Sequence, residues 1–174
     1  MDAITSLREG FGFTHMVVEG TMEGVTDEQA HWQPSGLAHS IASTYAHLVL
    51  GEDNIVHGMI QGTAPLSATT WGGKTGISEM PPARSEAEGN WAKWAASVRV
   101  DIPALREYAK AVYAATDAYL SSLTPEDLDR QIQAYGPDKQ SINWMLMLVA
   151  SHASNHIGEI SAIKGIQGLR GYPF

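Results

Sequence analysis

No cysteine occurs in the chain. Disulfides and thiolate ligands are therefore excluded, and any metal must be held by His, Asp or Glu. Cations are scarce as well: 11 Lys and Arg stand against 19 Asp and Glu, for a formal net charge of -8. No basic patch breaks that balance, so a nucleic-acid partner is not expected, because binding phosphates needs clustered cations. Long apolar runs are missing too. The longest, Trp144 to Ala150, is far too short to span a bilayer. The N-terminal stretch MDAITSLREGFGFTHMVVEG carries early acids and no long apolar core, so no signal peptide is expected there. These absences predict a cytoplasmic protein with no membrane partner that acts on a small molecule.

What is present is helical periodicity. No segment sustains a two-residue alternation, whereas several place apolar residues three and four apart. A first helix is expected over 2–23, with Ile4, Leu7, Phe11, Thr14, Val18 and Met22 on its core side. A second is expected over 38–61, introduced by Pro34, Ser35 and Gly36 and closed by Gly62 and Pro65. Residues 62–84 are rich in Gly, Pro, Ser and Thr and read as a long surface loop of the kind that often carries function. Ser85 to Glu88 matches a capping box and predicts a short helix to about Ser97. A further helix is expected from Asp101 to Leu123, with Leu105, Tyr108, Val112, Ala115, Tyr119 and Leu123 facing the core. Thr124 to Asp127 reads as a short capped turn, Tyr135 to Lys139 as a turn, and Ser141 to Lys164 as the last helix, stopping at Gly165 or Gly168. In that helix Trp144, Met145 and Met147 are expected in the core. A single all-α domain over 1–174 follows, a four-helix bundle with a long loop after its second helix.

Two histidines, His152 and His156, lie four apart near the end of the last helix and so share one face. The spacing is that of the metalloprotease motif HExxH, but Ala153 replaces the glutamate that would serve as general base, which excludes that chemistry. Two imidazoles hold a divalent ion poorly, and catalytic sites often use three protein ligands. His47, in the apolar helical stretch IASTYAHLVL, is the best third ligand. At about 100° per residue, Ser40, Ser43, Gly51 and Asn54 fall within roughly 40° of it, Glu52 and Asp53 lie more than about 100° away, and His39 and His57 sit about 80° off, at the periphery. His15 and His31 are read as ordinary structural histidines.

Two blocks now resemble a known family. HWQPSGLAHSIASTYAHLVLGED combines a Trp-x-Pro turn, a Ser-Ile step and a histidine within a helix. SINWMLMLVASHASNHIGEISAIKGIQG is an apolar helix carrying His-x3-His, then Gly, a polar residue and Ile. Both are similar to the DinB-like (DinB/YfiT) superfamily of metal-dependent enzymes. The resemblance implies an up-down-down-up bundle, one divalent ion on His47, His152 and His156, and a homodimer through an outer face, which the sequence itself does not show. The chain departs from the family at His39, where Asn is frequent, and at Glu159, where Gln is more frequent. Glu159 is the candidate catalytic residue. It lies on the ligand face three residues past His156, where it can orient a histidine, bind the ion or act as a general base. A carboxylate near a helix C-terminus opposes the dipole, which argues that it has a partner.

Such a centre acidifies a bound water or thiol. Members of the family act as bacillithiol- or mycothiol-dependent transferases and isomerases, so one expectation is a small thiol cofactor activated for attack on an electrophile. The other enzymatic expectation is metal-assisted hydrolysis of an ester or amide. A non-catalytic metal-binding or stress-response bundle is the third. Imidazole suits several metals, with zinc expected first and nickel second. Arg84, Lys74 and Trp71 near the loop, and Tyr45 or Tyr119 in the bundle, are candidates for ligand recognition.

Overall fold

The computed structural model describes residues 2–174, and the side chain of Arg84 lies outside what is described. The chain is mostly helical, with one small two-stranded sheet. Helix α1 spans Ala3–Met22 and begins where the Asp2 carboxylate accepts the Thr5 N–H at 2.8 Å. Helix α2, Asp27–His31, follows a capping box between Thr26 and Gln29. Helix α3, Ile41–Asp53, is capped by Ser40 and runs on into a π-helical stretch, Asn54–Ile60. There the Gln61 N–H reaches back five residues to the Val56 carbonyl, at 3.1 Å. Helix α4 is Trp91–Ser97, and α5 spans Ile102–Ser122 with Asp101 as its cap and Pro103 in its first turn. Strands β1, Gln131–Gln133, and β2, Lys139–Ser141, pair antiparallel. They lead into α6, Ile142–Ile166, capped by Ser141 and ended near Gly168, whose φ of +76° suits glycine.

Helix α3 packs on α6 and α5, and α1 also packs on α6 and α5, so the four long helices share one interior. At one end of it, Val18, Met22, Tyr45, Leu48, Leu105, Tyr108, Val112, Ile157 and Ile160 form a single cluster. Toward the other end, Phe11, Ile55, Val56, Leu120, Ile142, Met145, Leu146 and Val149 form a second. Each fully buried side chain of this size stabilises the fold by about 1.5–3 kcal/mol relative to exposure. Helix α3 is buried on nearly every side, Ile41 to Ala46 without a break, because α2 and α4 cover flanks that α5 and α6 leave open. No helix among the described residues is long and apolar enough to cross a membrane.

Several sequence expectations are corrected. The second helix starts at Ile41, because Ser40 turns its hydroxyl onto the Ser43 N–H and breaks the helical path before it. The helix expected from Ser85 starts at Trp91, preceded only by a 3-10 turn at Arg84–Glu86. Helix α2 and the hairpin were not expected; the helix is five residues and each strand three, too short for periodicity to register. Trp144 and Met147 are exposed, whereas Met145 is buried: α6 turns only one stripe to the core, and its apolar composition runs all the way round.

The 62–84 segment is tied to the helices and does not hang free. Asp53, fully buried, accepts the backbone N–H groups of Leu66 and Ser67 at 2.9 Å each and the Tyr108 hydroxyl at 2.6 Å, with His57 Nδ1 at 3.0 Å. Further along, the Gly76 carbonyl accepts the Asp101 N–H at 2.8 Å, and a Cβ at Gly76 would stand 2.6 Å from the Asp101 oxygen. The Trp94 indole N–H then donates to the Glu79 carbonyl at 2.9 Å, which links this segment to α4.

Candidate metal centre

Helices α3 and α6 bring three imidazoles together. His47 is supplied by α3, and His152 and His156 by successive turns of α6. The approach depends on Gly51, one turn after His47: a Cβ there would lie 3.1 Å from Cε1 of His152, so only a residue without one leaves the ring its place. Nε2 of His152 lies 2.8 Å from Nε2 of His47 and 3.1 Å from Nε2 of His156. The candidate ligand atoms of all three lie within 4.8 Å of one another. Two nitrogens bound to one ion at about 2.0–2.1 Å stand roughly 2.9–3.4 Å apart for bond angles from 90° to tetrahedral. One separation lies at the lower edge of that range and the other within it, and the third is no more than 4.8 Å, so the three nitrogens are close enough together to ligate a single ion.

Burial keeps two of the rings, His47 and His152, neutral. Burial, then the neighbouring His152, His156 and His39, pushes His47 down to about 3. Burial, then His156, pushes His152 down to about 4, with Glu159 acting in the opposite sense. A neutral imidazole is the form that offers a lone pair to a metal. Nδ1 of His156 lies 2.7 Å from Oε2 of Glu159. Nδ1 therefore carries the proton and donates it, which leaves Nε2 as the lone-pair atom aimed at its two neighbours. The Glu159 side chain is otherwise half exposed.

A cavity of about 210 Å³ opens beside these rings, lined by His39, Ser43, Thr44, His47, Trp91, Ala95, His156 and Glu159. Trp91 meets His47 edge to face, with ring centroids 4.6 Å apart. The sequence reading thus named the residues that the fold brings together, and Glu159 beside them. It placed His39 at the periphery, whereas His39 lines the cavity; the 100° rule does not extend past the Ser40 cap. It missed Trp91, for which neither spacing nor motif gave a signal. Trp71, Lys74, Tyr45 and Tyr119 do not line the cavity. Tyr45 instead donates to Glu19 at 2.6 Å, and Trp71 packs on Tyr108 with centroids 5.8 Å apart.

His15, His31 and His57 have structural partners. His15 sits 3.0 Å from Glu52 and stacks on Tyr113 at 3.8 Å between centroids, and Glu52 also accepts the Thr116 hydroxyl at 2.7 Å. His31 Nδ1 donates to the Asp27 carbonyl at 2.9 Å, and its Nε2 accepts the Val100 N–H at 3.1 Å. Glu52 and Asp53 point away from the triad, as their angular positions on α3 require.

Comparison with known proteins supports the fold and assigns a family. The chain resembles, at 22% identity, a conserved protein from Enterococcus faecalis of known crystal structure, with a TM-score of 0.79 over 94% of this chain and 96% of that one. That likeness speaks for the fold alone. No curated protein matches the sequence. The profile of the DinB superfamily matches residues 11–160, a span that contains every residue of the triad and the glutamate beside it. The chain belongs to the DinB superfamily.

Proposed function

We propose that this protein is a divalent-metal-binding enzyme in which His47, His152 and His156 hold one ion, with zinc favoured over nickel, and which activates a small thiol for transfer to an electrophile. The observation that carries the reading is the convergence of three Nε2 atoms from two helices, 2.8 and 3.1 Å apart, beside an open cavity. We also read the four long helices as an up-down-down-up bundle, supported by the packing of α1 and α3 each on both α5 and α6. A divalent ion held by neutral imidazoles supplies Lewis acidity and lowers the pKa of a thiol or water bound to it.

The chain's own residues do the rest. Burial keeps His47 and His152 unprotonated at neutral pH, so protons do not compete for their lone pairs. Glu159 fixes the tautomer and angle of His156, and its half-exposed carboxylate is placed to accept a proton from a ligand in the cavity. Trp91 and Ala95 supply an apolar wall that excludes water from one side. The chain has no cysteine, so the nucleophilic sulfur arrives with the thiol. At about 210 Å³ the cavity is smaller than the roughly 300–1,000 Å³ of drug-sized sites, so it encloses the reactive end of a thiol and a small electrophile, not a whole large cofactor.

Elemental analysis of the purified protein tests the metal, with one divalent ion per chain expected and loss of it in His47→Ala. Absence of metal from the wild type, together with a melting temperature unmoved by chelators, would reject the proposal in favour of an inert bundle. Parallel assays of thiol conjugation and simple ester hydrolysis on the loaded protein separate thiol transfer from hydrolysis; turnover of esters alone assigns the centre to a hydrolase.

A further inference from the structure

The cavity beside the triad has a chemical polarity of its own. Most of its polar groups already have partners within the protein. The Ser43 hydroxyl donates to the Ser40 carbonyl at 3.2 Å, and the Thr44 hydroxyl to the same carbonyl at 2.9 Å. Glu159 is engaged by His156 at 2.7 Å. Two lining rings differ. Among the described residues, the ring nitrogens of His39 and of Trp91 make no hydrogen bond with the protein, although each ring stands in the wall of the cavity. His39 is also outside the ligand set, because only His47, His152 and His156 have nitrogens mutually within 4.8 Å. It therefore lines the cavity without belonging to the triad. The Trp91 ring is held by contacts at 4.6 Å to His47 and 4.8 Å to Trp94, centroid to centroid, which fixes a flat apolar surface next to its N–H.

From this geometry we infer that His39 and Trp91 select the substrate: a small molecule with a planar apolar body and an oxygen that accepts a hydrogen bond, either a ketone-type carbonyl or a carboxylate. The body lies along Trp91 and Ala95, and the oxygen takes the free ring N–H of His39. An occupant without such an oxygen leaves the His39 N–H desolvated and unpaired, which disfavours it. This inference rests on the proposed metal site only for what happens to the substrate next; recognition itself uses residues that are not ligands.

Three probes with one ring and different substituents test it: benzoate, acetophenone and ethylbenzene. Their dissociation constants are measured by saturation-transfer NMR on zinc-loaded and on chelator-treated protein, for the wild type, His39→Phe and His39→Asn. The wild type should bind benzoate or acetophenone about tenfold more tightly than ethylbenzene, in both metal states. His39→Phe should abolish that preference, and His39→Asn, which keeps an N–H donor, should retain it, with equal zinc content in the three proteins. Whichever oxygen compound shows the larger preference identifies the acceptor. Ethylbenzene binding as tightly as both oxygen compounds, or an undiminished preference in His39→Phe, overturns the inference. A wild type that takes up no zinc refutes the metal reading, and the preference measured on that zinc-free protein still decides the role of His39 either way.

Discussion

Replacing Gly51 by alanine should separate the stability of the fold from the quality of the metal site. In the middle of α3, alanine is favoured over glycine by about 1 kcal/mol on helix propensity. The new Cβ would, however, lie 3.1 Å from Cε1 and 3.5 Å from Nδ1 of His152. Carbon atoms rest at roughly 3.5–4.0 Å, so the imidazole must retreat by about 0.5 Å. Its retreat is hindered by the rings of His47 and His156, whose centroids are 4.7 and 4.4 Å away. Metal–ligand distances tolerate only about ±0.2 Å. The shift exceeds that tolerance, so zinc affinity should fall by about tenfold or more, or at least roughly 1.4 kcal/mol. The metal-free protein should melt within a few degrees of wild type, because helix propensity and the tight contact offset one another. Competition with a chromophoric chelator gives the affinity, and calorimetry of the stripped protein gives the melting temperature. A zinc dissociation constant within about threefold of wild type would refute the reasoning, since it would mean that the rings are not held where the ion needs them.

Other outcomes are equally specific. The metal-free protein should lose stability on acidification: His47 and His152 titrate at about 3 and 4 in the fold, whereas an unfolded imidazole titrates near 6.5. Between those values the unfolded chain binds more protons, so stability is lost as pH falls below 6.5, and a melting temperature that stays flat from pH 7 to 4.5 would contradict this. Glu159→Ala should lower metal affinity by about 10- to 100-fold through the freed His156 ring, and Glu159→Gln should restore most of it, as read by the same chelator competition. Asp53→Ala should destabilise the fold by about 2–4 kcal/mol in denaturant titration and make residues 62–84 susceptible to limited proteolysis, because three donors lose their acceptor and His57 loses a neighbouring carboxylate.

The triad was legible in the sequence because its information is local. His152 and His156 need only the pitch of α6 to share a face, and His47 sits in an uncharged run whose burial is implied by its composition. Glu159 follows from the same pitch. His39 was misplaced because a helical wheel assumes a continuous helix, and the Ser40 cap ends α3 one residue before it reaches His39. Trp91 depended on the path of some thirty residues between Ile60 and α4, which is set by tertiary ties to Asp53, Asp101 and Trp94 that no periodicity encodes. The burial of Glu52 and Asp53 was hidden for a related reason. A charged residue looks solvated until its partners, here Thr116, His15 and Tyr108 from other helices, are known. Trp144 and Met147 failed in the opposite direction, since apolar character alone does not say which side of α6 faces inward.

The moorings of the 62–84 segment have an evolutionary corollary. The donor nitrogens are carried by two long helices, while the tryptophan that borders their cavity is carried by a short one at the end of a separately anchored strap. The three imidazoles and this wall of the cavity are thus mounted on different parts of the chain. Insertions, deletions or exchanges between Ile60 and Trp91 can reshape that wall without disturbing the three imidazoles, provided the aspartate that pins the strap is kept.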